Sequence, residues 1–266
     1  MIKPTQKPKL IRYALYFLSS ISLINAFREW FYIPLGVLGL VDFNEGKILH
    51  LKSGIKFKMK HFMDAWTIKE SFVDNEYHYS PFGKKDIVID IGANIGDFSV
   101  FAAYRGAAKV YAFEPSRKTF QQFTNNISLN NMENVIKPFN MAVGGGNRFI
   151  KLYTSEMSGL ASIYRTRGEK KHERVRSTNL KEIFTSNKIL KCDFLKIDCE
   201  GAEYEILEKC PSNIYKKIKK IALEFHEMDP NHNHENLISK LKDEGFSIKS
   251  QYDEIENTIG YIYATK

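Results

Sequence analysis

Short apolar runs alternate with helical patterns from residue 86 to residue 266. The apolar runs predict strands at 87–91, 109–113, 135–143, 194–198, 221–226, 246–251 and 259–264. Polar and apolar residues at helical spacing predict intervening helices at about 95–104, 117–129, 202–209 and 235–244. Continuous apolar strands that alternate with helices indicate a mostly parallel sheet covered by helices on both faces. The sequence therefore predicts an α/β fold with a seven-stranded sheet.

The first 85 residues follow a different pattern. Apolar side chains recur every three or four residues at Phe17, Ile21, Ile24, Phe27 and Phe31, which predicts an amphipathic helix. Apolar and polar residues alternate over 47–60, around a Ser-Gly pair, which predicts a β-hairpin. A Pro-Phe-Gly turn cluster follows at 81–83. We therefore predict a small N-terminal α+β module at 1–85 and a larger domain at 86–266.

Two interpretations of the amphipathic helix stay open. Its apolar stripe fits a helix that lies on a membrane surface, and it also fits a helix that packs on the body of the protein. Fifteen uncharged residues at 13–27 are fewer than the ~18 to 20 that span a bilayer, and Arg28 and Glu29 follow them. Basic residues precede this stretch as in a signal sequence, but no A-x-A cleavage site follows. Contact with a membrane through residues 10–40 is therefore expected to be peripheral.

Amino-acid composition limits the cellular compartment and the binding partners expected of this protein. The chain has 39 Lys and Arg against 31 Asp and Glu, which gives a formal charge of +8. This charge suits an anionic partner such as a lipid headgroup, or it belongs to a solvated lysine-rich surface without a partner. No RNA-binding signature or zinc-finger spacing is present, so a nucleic-acid partner is not expected. Three cysteines without a C-x-x-C pair predict neither a disulfide framework nor structural zinc. We expect a cytoplasmic protein, with any membrane association at the cytoplasmic face.

The loop after the first predicted strand, D-I-G-A-N-I-G-D at 90–97, limits the choice of cofactor. A dinucleotide fingerprint, G-x-G-x-x-G, would have glycines where Asn94 and Asp97 stand. An acid at the start of the following helix would repel a pyrophosphate. A cofactor without phosphate and with a cationic sulfonium, S-adenosylmethionine, suits this loop better. Glu114 ends the second strand 22 residues after Gly92, where an acid can bind both ribose hydroxyls.

Five segments carry a resemblance to a known family. They are D-I-G-A-N-I-G at 90–96, F-E-P at 113–115, A-V-G at 142–144, F-L-K-I-D-C-E-G-A-E at 194–203 and A-L-E-F-H at 222–226. Together they resemble the FkbM family of methyltransferases over about residues 62–266. The resemblance implies a Rossmann-like class I methyltransferase fold and O-methylation of a sugar or natural-product hydroxyl. It implies that S-adenosylmethionine is bound by Asp90, Gly92, Asn94, Gly96, Glu114, Asn140 and Ala142.

Three residues at predicted strand ends are candidates for catalysis. His226 closes a strand and titrates near neutrality, so it is the first candidate for the general base, unless a carboxylate such as Glu224 or Glu227 satisfies it. Glu200 is the second candidate for the base, or else it caps the next helix. Asp198 can orient the acceptor or contact the amino group of the cofactor.

A metal site is not predicted. Asp198, Glu200 and Glu224 could supply oxygen ligands for a divalent cation, and His232 and His234 could suggest zinc. A polar turn before a helix explains the two histidines better. We therefore assign no metal ligands.

One long polar segment, 155–176, interrupts the alternating pattern. It is predicted as a loop whose basic residues are either solvated or receive an anionic glycan or lipid headgroup. These residues are Arg165, Arg167, Lys170, Lys171 and His172.

The sequence thus predicts an S-adenosylmethionine-dependent methyltransferase that O-methylates a hydroxyl of a glycan, a glycolipid or another small metabolite. Two alternatives stay open, a NAD-dependent oxidoreductase and a non-catalytic binding module on the same fold. The acceptor and the oligomeric state are not predicted.

Overall fold

A computed structural model describes residues 21–61, 63–77, 82–154, 161–162, 172–230, 232–253 and 258–266. Within these ranges the strands are β1 (Lys47–His50), β2 (Lys56–Met59), β3 (Ile87–Ile91), β4 (Lys109–Phe113), β5 (Ile136–Phe139), β6 (Ala142–Val143), β7 (Arg148–Thr154), β8 (Ala161–Ser162), β9 (His172–Thr178), β10 (Phe194–Ile197), β11 (Lys220–His226), β12 (Ser247–Tyr252) and β13 (Ile259–Thr265). The α-helices are α1 (Tyr32–Val37), α2 (Asp64–Lys69), α3 (Asp97–Tyr104), α4 (Arg117–Leu129), α5 (Leu180–Ser186), α6 (Glu203–Glu208), α7 (Ser212–Tyr215) and α8 (His234–Asp243). A π-helix, Glu70–Asp74, continues α2, and residues 21–26 are also helical.

The central sheet has seven strands in the order β12-β13-β11-β10-β3-β4-β5. Its pairs are parallel except for those of β13, which runs antiparallel to β11 and β12. Strand order reverses between β3 and β10, because the chain builds outward from β3 to β5 before it returns to β10 on the other side. Ligands in open α/β sheets bind beyond the carboxyl ends of the strands at this point. The predicted fold class is therefore confirmed, as are the predicted strands apart from 135–143, with ends that differ by no more than one residue.

The strand predicted at 135–143 is wrong as a single element. The chain leaves the central sheet after β5, and Met141 N–H donates to Phe139 O in a tight turn. β6 then joins a second sheet in the order β6-β9-β7-β8. This second sheet was not predicted.

The loop predicted at 155–176 is also wrong in part. Residues 161–162 form β8, and β9 begins at His172, whereas Arg165, Arg167, Lys170 and Lys171 lie outside the described residues. β9 reads H-E-R-V-R-S-T and contains one large apolar residue, Val175, which is buried against Leu152. A strand with so little apolar character gives almost no hydrophobic signal.

The amphipathic helix near the N-terminus ends earlier than predicted. Helical structure stops at residue 26, and Phe27 pairs with Leu51 in an isolated β-bridge. The side chains of Leu23 and Phe27 are buried, but Ile21, Ile24 and Phe31 of the predicted stripe are exposed. Phe17 lies outside the described residues. Among the described helices, none is long and apolar enough to cross a membrane.

The hairpin of β1 and β2 confirms the prediction for residues 47–60, and it packs on the larger domain. Leu49 and Phe57 share one buried cluster with Phe98 and Phe123 of α3 and α4. The fully buried Asn126 adds a polar connection, because its Oδ1 accepts from Lys58 N–H at 2.7 Å and its Nδ2 donates to Ile95 O at 2.9 Å. The boundary at residue 85 stays a prediction.

Asn126→Ala tests this connection. It leaves the Lys58 N–H and the Ile95 carbonyl without their partner, so we expect the free energy of unfolding to fall by about 2–4 kcal/mol. Urea unfolding followed by circular dichroism measures the change. The exposed Asn134→Ala is the matched control and should change stability by less than about 0.5 kcal/mol. Equal stability of the two variants would show that the connection contributes nothing.

Candidate active site

A cleft opens at the carboxyl ends of β3, β4 and β10, where strand order reverses. Its apolar walls come from Ile91, Phe113, Pro115, Ala142, Val143, Leu152 and Ala202. Its polar lining comes from Gly92, Asn94, Glu114, Thr119, Asp198, Cys199 and Glu200. Three acidic side chains and no basic one line this cleft among the described residues, although the chain as a whole carries a formal charge of +8.

The loop after β3 approaches β10 so closely that a side chain does not fit. Gly92 has φ +77°, and a Cβ there would lie 1.6 Å from the carbonyl oxygen of Asp198. Asn94 also has a left-handed backbone, φ +48°, which asparagine tolerates better than most residues. Asn94 Oδ1 is buried and has no hydrogen-bond partner in the described part of the chain. This loop therefore offers a free acceptor on a rigid backbone.

Glu114 closes the other side of the loop. Its Oε2 accepts from Asn94 N–H at 3.0 Å and its Oε1 accepts from Ser116 N–H at 2.8 Å. Burial raises the pKa of Glu114 to about 8, although these two hydrogen bonds oppose the rise. The carboxyl group is therefore fixed at the end of β4 and keeps lone pairs available for a ligand.

A buried lysine connects the two central strands. Lys196 Nζ donates to Gly92 O at 2.7 Å and lies 3.3 Å from Asp198 Oδ2 and 3.6 Å from Asp90 Oδ1. Burial alone would lower the pKa of Lys196, but the charges of Asp198 and Asp90 raise it above its usual range. Asp90 also accepts from Ser99 Oγ at 2.6 Å. Asp90 is fully buried, and it acts on the cleft through its contact with Lys196.

The N-terminal segment contributes to the same cluster. Tyr77 Oη lies 3.1 Å from Asp198 Oδ2 and 3.0 Å from Glu224 Oε2, so its single proton can bridge the two carboxylates. The ring of Tyr77 also lies 5.0 Å from Lys196 Nζ. Ser71 Oγ donates to the buried carboxylate of Asp97.

The contact with Ser71 revises the expectation that the carboxylate of Asp97 faces the cofactor and would repel a pyrophosphate. The carboxylate of Asp97 binds the N-terminal segment, and Asp97 does not belong to the described lining of the cleft. The acidic character of the cleft comes instead from Glu114, Asp198 and Glu200.

Glu200 and His226 form a second charged group beside the cleft. His226 Nδ1 lies 2.9 Å from Glu203 Oε1, and its Nε2 lies 3.4 Å from Glu224 and 3.5 Å from Glu200. Burial opposes a charge on His226, but hydrogen bonds with Glu203 and Glu224 and the nearby carboxylates raise its pKa to about 12. Burial raises the pKa of Glu200 to about 7, against the influence of His226.

The backbone at Glu200 is strained. Glu200 has φ +53° and Gly201 has φ +101°, and a left-handed glutamate costs about 1–3 kcal/mol. The next backbone N–H, that of Gly201, donates to Glu203 Oε2 at 2.8 Å. The strained turn directs Glu200 into the cleft, where strain of this kind is typical of functional sites.

The cleft brings together most of the residues predicted from the sequence. Gly92, Asn94, Glu114, Ala142, Asp198 and Glu200 line it. Asp90, Gly96, Asn140 and His226 are not among its lining residues. Asn140 Nδ2 donates to the carbonyl oxygens of Glu114 and Pro115, both at 2.9 Å, and so connects the ends of β4 and β5.

Sequence reasoning missed three residues of this site. Lys196 and Glu203 stand inside the K-I-D-C-E-G-A-E segment, so the motif contained them but gave no role. No motif or hydrophobic pattern in the sequence indicated that Tyr77 belongs to this site. Within the described ranges, no three His, Cys, Asp or Glu side chains are arranged to hold a metal ion.

Known proteins resemble this chain in sequence and in fold. The family model described as "Methyltransferase FkbM domain" matches residues 90–248 of this chain. Methyltransferase sdnD of Sordaria araneosa is 25% identical over 211 residues, which cover 68% of this chain and 81% of that protein. Methyltransferase 1 of Beauveria bassiana is 25% identical over 181 residues, covering 59% and 71%.

A solved structure agrees with the fold. The crystal structure of methyltransferase FkbM from Methylobacillus flagellatus KT superposes with a TM-score of 0.51 at 15% identity. The match covers 74% of this chain and 47% of that one, so this chain spans about half the length of that structure. Because the family match extends over more than half of the sequence, this protein is a methyltransferase of the FkbM family.

Proposed function

We propose that this protein is an S-adenosylmethionine-dependent O-methyltransferase that acts on a hydroxyl group of a glycan, a glycolipid or another small metabolite. The observation that carries the proposal is the position of Glu200. Its strained backbone holds a carboxyl group with a pKa of about 7 in the same cleft as Gly92, Asn94 and Glu114. A group that titrates near neutrality beside a cofactor cleft suits the removal of a proton from a hydroxyl.

The residues of the cleft fit the proposed cofactor. Gly92 leaves room for close approach along the backbone, and Asn94 Oδ1 is a buried acceptor in need of a donor. Glu114 is held where it can accept hydrogen bonds from ribose hydroxyls. Phe113, Val143 and Leu152 are apolar surfaces that suit a flat ring. S-adenosylmethionine, when bound, supplies a methyl group already activated on a cationic sulfonium, and the carboxylates of the cleft complement that charge.

The chain must then position the acceptor and remove its proton. Positioning can supply ~7–11 kcal/mol of the barrier, and a base adds ~10² to 10⁴ in rate. Glu200 is our candidate for the general base, since it lines the cleft and burial raises its pKa to about 7, within the range suited to a base at neutral pH. Asp198 lines the same cleft and is our candidate for orienting the acceptor.

His226 takes a different role in this proposal from the one that the sequence suggested. A histidine with a pKa of about 12 stays protonated at neutral pH and cannot accept a proton. Its imidazolium lies 3.5 Å from Glu200 and favours the ionised form of that carboxyl group. His226 is therefore a positioning residue, and Glu203 fixes its orientation.

Calorimetric titration with S-adenosylmethionine, S-adenosylhomocysteine and NAD tests the cofactor. We expect saturable binding of the two sulfur compounds and none of NAD. Glu114→Ala should weaken that binding at least ~10-fold, because the ribose hydroxyls lose an acceptor that two backbone N–H groups hold in place. The exposed Glu133→Ala is the control and should bind as the unmodified protein does. Binding of NAD alone, or equal affinity in both variants, would contradict the proposal.

The pH dependence of methyl transfer tests the base. With labelled S-adenosylmethionine and the best acceptor from a panel of glycans, glycolipids and small alcohols, kcat/KM should rise with pH to a plateau, with a midpoint near 7. Glu200→Gln should lower kcat by ~10² to 10⁴ while cofactor affinity stays within about threefold.

His226→Gln tests the positioning role separately. Because the imidazolium lowers the pKa of Glu200, its removal should move the acid side of the pH profile to higher pH. Circular dichroism should verify that this variant is folded. A profile that stays in place or moves to lower pH would exclude the assigned role of His226.

A further inference from the structure

Exposed apolar side chains are concentrated in residues 21–40. Six large hydrophobic residues there are exposed, namely Ile21, Ile24, Trp30, Phe31, Leu38 and Leu40. Leu38 and Leu40 are each 70% exposed. Large apolar residues left exposed in one short segment indicate a candidate interaction site.

This segment is held firmly on the body of the protein. Leu23, Phe27 and Ile33 point inward and are buried in the main hydrophobic cluster. Arg28 N–H donates to His50 O at 2.8 Å, and Lys52 N–H donates to Ala26 O at 2.9 Å. The segment therefore has one anchored face and one outward apolar face.

Nearly all of the net charge is in the same part of the chain. Residues 1–60 contain ten Lys and Arg against three Asp and Glu, so they carry +7 of the total of +8. Residues 30–41, in contrast, have no charged side chain at all. Exposed cations such as Arg28, Lys47 and Lys52 thus stand beside an uncharged apolar stretch.

We propose that residues 21–40 form a docking surface for an anionic lipid bilayer. Apolar side chains enter the boundary between headgroups and acyl chains, and nearby cations bind the anionic headgroups. Trp30 has the residue type that favours this interface. The charge pattern favours the anionic bilayer over a second copy of the chain, because residues 21–60 carry six Lys and Arg against three Asp and Glu, and two such basic surfaces would repel each other.

The surface is independent of the proposed chemistry. It lies outside residues 90–248 that match the family, and it needs neither the cofactor nor the acceptor. If the protein transfers no methyl group, the proposed docking surface is unaffected. If the protein binds no vesicles, the proposed active site is unaffected.

Co-sedimentation of the full chain with vesicles tests this surface. Vesicles of phosphatidylcholine with about 30% phosphatidylserine should bind the protein, pure phosphatidylcholine should bind it weakly, and high salt should weaken binding. Leu38→Ser together with Leu40→Ser should weaken binding at least ~10-fold, since both side chains lose their apolar contact. Both positions are exposed, so the variant should fold normally, which circular dichroism verifies.

The matched control removes exposed apolar residues elsewhere. Leu190→Ser together with Phe149→Ser, at two exposed positions outside the segment, should leave vesicle binding unchanged. No binding to anionic vesicles, or equal loss in both double variants, would overturn the proposal. A dimer in sedimentation velocity that dissociates only in the Leu38 and Leu40 variant would instead assign the surface to a second copy.

Discussion

The ammonium group of Lys196 holds together the carboxyl ends of the two central strands. It binds the carbonyl of Gly92 just after β3 and the carboxylate of Asp198 just after β10, and it partly neutralises the buried Asp90. A buried cation is costly unless several partners satisfy it, and here the partners are the groups that define the cleft. The close approach of Gly92 to Asp198, where no side chain fits, is part of the same arrangement.

Further acidic side chains lie next to the groups that Lys196 binds. The Tyr77 hydroxyl lies within hydrogen-bonding distance of Asp198 and Glu224, and Glu224, Glu203 and Glu200 surround the imidazole of His226. Two cations therefore hold a set of carboxylates that would otherwise repel one another. Because Tyr77 precedes the family domain, the N-terminal segment completes the site and does more than cover the core.

Continuous apolar runs made the central sheet predictable from the sequence. β3, β4 and β10 are buried on both faces, so nearly every residue in them is hydrophobic and the signal is strong. β9 was missed because a strand of a peripheral sheet needs only one buried face, and polar residues fill the rest. The stripe that predicted one long helix also failed, because Phe27 leaves the helix to pair with the hairpin.

The glycine loop at 90–96 was predictable because its residues are close in sequence, whereas the charge states of the cleft were not. Tyr77 is 121 residues from Asp198, and no local pattern indicates that contact. The protonation of His226 depends on Glu203, 23 residues earlier, and on burial that only the folded chain provides. Local motifs thus located the site, and tertiary contacts determined what each group can do.

Lys196→Met is the most direct test of this account, with the exposed Lys209→Met as the control. Removal of one partner from a buried ionic cluster typically costs about 3–5 kcal/mol, so urea unfolding should show a loss of that size in the first variant only. Where the variant stays folded, calorimetry should also show weaker binding of S-adenosylhomocysteine. Unchanged stability and unchanged binding would contradict the claim that this lysine holds the cleft together.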